Sequence, residues 1–333
     1  MRTRAFGRTG LTVSELGMGC SGLAGGLYYR NDREALATLQ GAFDAGITFY
    51  DTSSNYGLGR SERLLGRAFA KRRRQVILAT KGGARFLPLG VIGLRAKPFL
   101  RPIRRLLHPM RRELHHWRDA QKRYDYRPGF LTQSIEASLK RLRTDYLDLF
   151  QLYNPSPEAI AEGGIFETLE GLRAHGKVLH TGVSCVTVED ALRCLDHPVI
   201  ESVQVEINML DQSALDRLLP EAARHGVAVV ARVPLAQGLL TAMPDGSIAE
   251  RTAQDSSAYA RRRQLAERYR AFVTPGRTLA QAALQFVLAL PGVSVVIPGM
   301  ARRVHLTENL NALRAPALTA EEMSQARRLA AGA

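Results

Sequence analysis

Cysteine is scarce in this chain: Cys20, Cys185 and Cys194 are the only three among 333 residues. Their odd number, at no metal-ligand or C-x-x-C spacing, excludes a disulfide framework and a thiolate zinc site and favours a reducing compartment, the cytoplasm. No H-E-x-x-H is present, which removes the commonest zinc hydrolase pattern, and no metal site is expected. No tyrosine is followed four residues later by lysine, so the pair used by short-chain dehydrogenases is missing. Long apolar runs are absent too: nowhere do about 18 uncharged apolar residues follow one another, so a membrane-spanning helix is not expected. The opening MRTRAFGRTG lacks the apolar centre of a secretory signal.

Acid is in deficit. Thirty-one Asp and Glu face 46 Lys and Arg, a net charge of +15, which raises nucleic acid or an anionic surface as partners. The excess is concentrated. Between Arg85 and Arg127 twelve basic residues face Glu113, Asp119 and Asp125, so this stretch carries +9 of the total. Leu94, Phe99, Leu100, Ile103, Leu106 and Leu107 interleave there with arginines, and Pro98, Pro102 and Pro109 interrupt them. The pattern reads as a lid over a site, with reversible contact to an anionic membrane as the sharper expectation. Nucleic-acid binding is disfavoured, since no aromatic stacking pattern accompanies the charge. Trp117 reads as an anchor for this segment.

What the chain has in abundance is short apolar strands with chemistry at their exits. Ile47 to Tyr50 is β-rich and delivers Asp51; Gly57 and Gly59 then break the chain before an amphipathic helix beginning at Ser61, with Tyr56 in the loop. Val76 to Thr80 delivers Lys81, and Leu147 to Leu152 delivers Tyr153 before Pro155. SELGMG reads as a first strand ahead of these, and further strands follow in HTGVSC, SVQVEIN, VAVVARVPL and VSVVIP, alternating with helices read as capped by Asp32, Thr132 and Ser213 or as opening near Thr187 and at Thr278. Eight strands, each apolar throughout rather than alternating, suit a parallel sheet buried on both faces and closed as a (β/α)8 TIM barrel. Its carboxyl ends are where such a fold places chemistry. Lys81, held charged by Asp51, would there lower the pKa of the Tyr56 phenol. Two phosphate-loop look-alikes fail on context: Gly17, Gly19 and Gly22 have G-x-G-x-x-G spacing without a helix opening after them, and GLRAHGKV from Gly171 lies where a helix ends.

DTSSNYGLGRSE, LATKGG, YLDLFQL, GVSCV, QVEINML, PLAQGLL and VIPGMARRVHLTENL, in this order, resemble the aldo-keto reductase superfamily over nearly the whole chain. The resemblance implies one barrel domain over residues 1–333. An N-terminal β-hairpin, here residues 4 to 14 with Gly10 in the turn, would close its bottom, and residues 85–127 form a basic insertion after the third strand. It implies a catalytic set of Asp51, Tyr56 and Lys81, with Tyr153 where the family carries histidine. Ser184 and Gln204 would hold the carboxamide of a nicotinamide, with Cys185 standing where an asparagine is usual. Arg232 takes the ring-stacking position, which is often aromatic. Leu235, Gln237 and Gly238 would line the pyrophosphate, and Gly299, Met300, Arg302, His305, Glu308 and Asn309 the adenosine phosphate. Arg302 and Arg303 at a helix start favour NADPH over NADH. The implied activity is reduction of an aldehyde or ketone; the replaced histidine leaves a nicotinamide-binding sensor with little turnover as the alternative.

Overall fold

A computed structural model describes residues 1–24, 31–86, 122–241 and 256–332. Strands β1 (Thr3–Ala5) and β2 (Thr12–Ser14) pair antiparallel as a hairpin. After it come β3 (Met18–Gly19), helix α1 (Asp32–Asp44), β4 (Phe49–Asp51), α2 (Arg60–Phe69) and β5 (Ile77–Gly82). A second antiparallel pair, β6 (Ala84–Phe86) with β7 (Lys122–Tyr124), grows directly from the exit of β5. The chain continues with α3 (Pro128–Leu142), β8 (Leu147–Tyr153), α4 (Pro157–Glu162), α5 (Gly164–Ala174), β9 (Val178–Ser184), α6 (Val188–Cys194) and β10 (Ser202–Glu206). It ends with α7 (Leu218–Arg224), β11 (Ala228–Arg232), α8 (Ser256–Arg268), α9 (Leu279–Leu288), β12 (Val293–Ile297), α10 (Arg303–Asn311) and α11 (Ala320–Ala331).

Eight strands pair in the order β12, β11, β10, β9, β8, β5, β4, β3. Parallel bridges from Leu16 to Val296 and from Gly19 to Gly299 join the last of these to the first and close the cylinder. Closure removes the sheet edges, and the helices cover the outside, so the strands are largely buried on both faces, with Leu179 near the start of β9 left exposed. Inside the barrel, Phe49, Ala79, Leu149, Val230, Val295 and Ile297 pack with Phe6 and Val13 of the hairpin, while a larger apolar layer lies between strands and helices. Arg8 ties the hairpin to the carbonyls of Pro198 and Ile200, ahead of β10.

Some caps differ from the sequence reading. Asn31, not Asp32, accepts from the Glu34 amide at the start of α1. Helix α3 begins at Pro128, whose fixed φ suits a first helical turn, so Thr132 lies inside it. Ser213 caps nothing: its amide and hydroxyl both donate to Asp211, and α7 starts only at Leu218. Helices α6 and α9 are capped by Thr187 and Thr278, the latter through a reciprocal box with Gln281. Residues 87–121 and Trp117 lie outside the described residues, as does the expected membrane contact that rests on them. No described helix is long and apolar enough to cross a membrane.

Candidate active site

Alternation along a strand puts residues i and i+2 on one face. Phe49, Ala79 and Leu149 fill the barrel interior, so Asp51, Lys81 and Gln151 stand one layer above them toward the carboxyl ends. Register brings them together, with Asp51 opposite Ala79 and Lys81 opposite Gln151. Gln204 of β10 completes a buried polar layer. The Lys81 ammonium donates to both Asp51 oxygens at 2.6 Å and to the Thr52 carbonyl at 3.1 Å. Gln204 Nε2 donates to Asp51 Oδ1 at 2.9 Å and lies 3.5 Å from Gln151 Oε1. Gln151 Nε2 is buried without a partner among the described residues.

Tyr56 sits above this layer, half-buried in the loop after β4. Its ring centroid lies 5.4 Å from Lys81 Nζ. Burial pushes its phenol above the ordinary range; Asp51 and Tyr153 push it further, and Arg232 opposes them. The expected lowering by Lys81 is therefore corrected. The lysine charge is balanced at close range by Asp51, and what remains is the cost of burying a phenolate. Burial also pulls the Lys81 ammonium down, against the pull of Asp51 upward. The folded chain presents Tyr56 as a protonated phenol.

Tyr153 and Arg232 reach the same mouth from β8 and β11, each two residues beyond a member of the polar or apolar layer. Arg232 donates to the Cys185 carbonyl at 3.2 Å and faces Glu206 at 3.7 Å; Arg262 of α8 holds the same carboxylate at 2.9 Å. Ser184 is nearly buried at the end of β9, in register with both Tyr153 and Gln204. Cys20 and Cys185 are buried and free.

A second group surrounds the exits of β11 and β12. Val233, Ala236 and Gln237 have φ of 55°, 47° and 57°, a left-handed conformation that is costly for a β-branched valine and that clusters at ligand-holding loops. Leu235 and Gly238 lie in this turn. Beyond β12, Gly299 is exposed, and at both Gly238 and Gly299 a side chain would meet nothing within 4 Å. Met300 is fully buried. Arg302 precedes α10 and Arg303 opens it, both exposed. Burial, reinforced by Arg302, keeps His305 below the ordinary imidazole range and so neutral at pH 7. Glu308 accepts from Thr278 at 2.6 Å, whereas Asn309 Nδ2 is buried without a partner among the described residues. Open space at two glycines and an orphaned amide donor fit a bound nucleotide. Among the described residues no group of three or more His, Cys, Asp or Glu could hold a metal ion.

Gln151, Glu206 and Tyr126 were not singled out from the sequence. For Gln151 a signal existed, a lone amide in the otherwise apolar LDLFQL.

A closed parallel barrel with a carboxylate, an ammonium and a phenol at one mouth defines the class of barrel oxidoreductases. The Aldo/keto reductase family profile matches residues 15–331, and the chain belongs to that family of nicotinamide-dependent oxidoreductases. It is 30% identical over 97% of its length to a D-threo-aldose 1-dehydrogenase of Pseudomonas sp, covering 97% of that protein. Among solved structures, aldo-keto reductase AKR11C1 from Bacillus halodurans in its holo form is similar at 27% identity and a TM-score of 0.78, with 100% and 97% of the two chains covered. An aldo/keto reductase from Klebsiella pneumoniae in complex with NADP and acetate is similar at 25% identity and a TM-score of 0.68, with 99% and 95% covered.

Proposed function

We propose that the protein is an NADPH-dependent reductase of aldehydes or ketones, with Tyr56 as the proton donor to the carbonyl oxygen. The observation that carries this reading is a buried ammonium held at 2.6 Å by both oxygens of Asp51 and lying 5.4 Å from the Tyr56 ring. When bound, the nicotinamide supplies the hydride. Tyr56 is held protonated by burial, which suits it to give a proton rather than to take one. Lys81 stays oriented by Asp51 and stabilises negative charge as it develops on the phenol oxygen. Tyr153 stands at the histidine position and donates a hydrogen bond to the substrate oxygen without carrying positive charge.

For the cofactor, Gln204 has its amide nitrogen committed to Asp51, so its Oε1 is the atom left to accept from a carboxamide, with Ser184 beside it. Arg232, fixed by Glu206, offers its guanidinium plane to the ring. Leu235, Gln237 and Gly238 line the pyrophosphate. Gly299, Met300, Glu308, Asn309 and neutral His305 frame the adenosine, and Arg302 with Arg303 receives the 2′-phosphate. The NADP-bound relative from Klebsiella supports this choice of cofactor.

The test is loss of NADPH absorbance against a panel of aldehydes, ketones and aldoses, the last chosen because of the Pseudomonas relative. Tyr56→Phe should lower turnover by roughly 10²- to 10⁴-fold while NADPH affinity stays within about twofold of wild type. Turnover retained in that variant refutes its role. NADPH should bind at least about tenfold tighter than NADH. Tight NADPH binding with no reduction across the panel would instead identify a nicotinamide-binding sensor.

A further inference from the structure

Tyr126 follows β7, at the point where the chain returns from the basic insertion to the barrel. Its hydroxyl lies 2.9 Å from the carbonyl oxygen of Tyr153 and 2.9 Å from that of Asn154. A single phenolic hydrogen is therefore shared between two successive carbonyls at the exit of β8. From the other side the Asn154 amide donates to the Ser184 carbonyl at 2.8 Å, and Asn154 adopts a left-handed φ of 51°. The peptide that carries Tyr153 is thus clamped between the insertion's return limb and β9.

The ring of Tyr126 is fixed as firmly as its hydroxyl. It lies over Gly83, where a Cβ would come within 2.4 Å of a ring carbon and where φ is +97°. Only glycine satisfies both constraints. The Asp125 amide donates to the Gly83 carbonyl at 2.7 Å, and Tyr124 stacks on Tyr126 with ring centroids 6.2 Å apart. Gly83 is two residues beyond Lys81. Tyr126 therefore spans the exits of the two neighbouring strands that deliver Lys81 and Tyr153, and it is anchored to both.

We propose that Tyr126 is a positioning residue for substrate: through the Tyr153 backbone it sets where the Tyr153 phenol stands relative to Tyr56. This rests on the reading of Tyr153 as the residue that faces the substrate oxygen. A phenol that must meet a carbonyl oxygen within hydrogen-bond reach tolerates little displacement, because misplacement by about 1 Å already costs a large factor in rate. Releasing the two carbonyls lets that peptide turn, and the ring turns with it.

The experiment is a double-variant cycle of Tyr126→Phe and Tyr153→Phe, read with NADPH and the best carbonyl substrate of the panel. Tyr126→Phe keeps the ring over Gly83 and removes only the hydroxyl. It should lower kcat/KM by on the order of tenfold, mainly through kcat, and leave the NADPH dissociation constant unchanged. In the Tyr153→Phe background the same change should cost less than about twofold, because the group being positioned is already gone. Installing 4-aminophenylalanine at position 126, which restores an N–H donor at that reach, should recover activity to within about threefold. Unchanged kcat/KM in Tyr126→Phe overturns the proposal. So does an equal loss in both backgrounds, or a loss that restoring the donor does not repair. Failure of the wider catalytic reading is seen separately, as turnover retained in Tyr56→Phe.

Discussion

At the scale of single residues, Asp51 and Lys81 carry the highest energetic stakes. Side chains of both are almost wholly buried, at 4% and 1% exposure. Taking two ions out of water costs several kcal/mol each, and the pair persists because both carboxylate oxygens, the Thr52 carbonyl and the Gln204 amide complete its hydrogen bonds. Asp51→Asn keeps the shape and removes the charge, leaving an ammonium in an apolar barrel with amide and carbonyl partners only. Urea unfolding should show a loss of about 3–5 kcal/mol. A loss below about 1 kcal/mol would mean that Lys81 is readily neutralised in the fold. The residue types and their strand exits were legible in the sequence, because an ionisable group ending an apolar run is conspicuous. Protonation of Tyr56 was not legible: it depends on how much water the loop excludes and on Asp51 balancing the lysine, and both are set by tertiary distances.

At the scale of elements, glycines decide how closely helices approach. Gly66 lies on the buried side of α2, and a Cβ there would fall 2.4 Å from the Arg141 carbonyl oxygen and 2.7 Å from that of Leu142, at the end of α3. Backbone atoms cannot move aside as side chains do. Gly66→Ala should cost about 1–3 kcal/mol by chemical denaturation. Gly171, on the exposed side of α5, has nothing within 4 Å of where a Cβ would stand; Gly171→Ala should add about 0.5–1 kcal/mol by relieving the helix of a residue with excess unfolded-state freedom. Equal effects at the two sites would show that the α2–α3 contact yields. Strands were readable because burial on both faces leaves them apolar throughout. Caps were readable less often, since Ser213 has a competing local carboxylate in Asp211, and only geometry says which hydrogen bond forms.

At the scale of the whole molecule, two buried tyrosines, Tyr50 and Tyr269, and two half-buried ones, Tyr56 and Tyr126, set the alkaline limit. Burial pushes Tyr50, Tyr56 and Tyr126 above the ordinary range and Tyr269 to about 12. Above a pH of about 10 the unfolded chain releases these protons while the folded chain retains them, so stability falls as pH rises, by up to about 1.4 kcal/mol per unit for each such group. Urea midpoints at about pH 8 and about pH 10.5 should differ in that direction. Phenolate absorbance of the folded protein should leave at least these four of the ten tyrosines untitrated until unfolding. Reversible titration of all ten near a pH of about 10 would contradict this.

The sequence by itself determined that eight apolar strands would alternate with helices and that Asp51, Lys81, Tyr56 and Tyr153 would emerge at strand exits, because burial and chain direction are written in local composition. Only the tertiary structure decided which of them meet. Strand register sets Lys81 beside Gln151, barrel closure brings Gln204 across to Asp51, and Tyr126 reaches Tyr153 from 27 positions away. Those pairings are contacts between distant parts of the chain, and their energies depend on separations that no local pattern encodes.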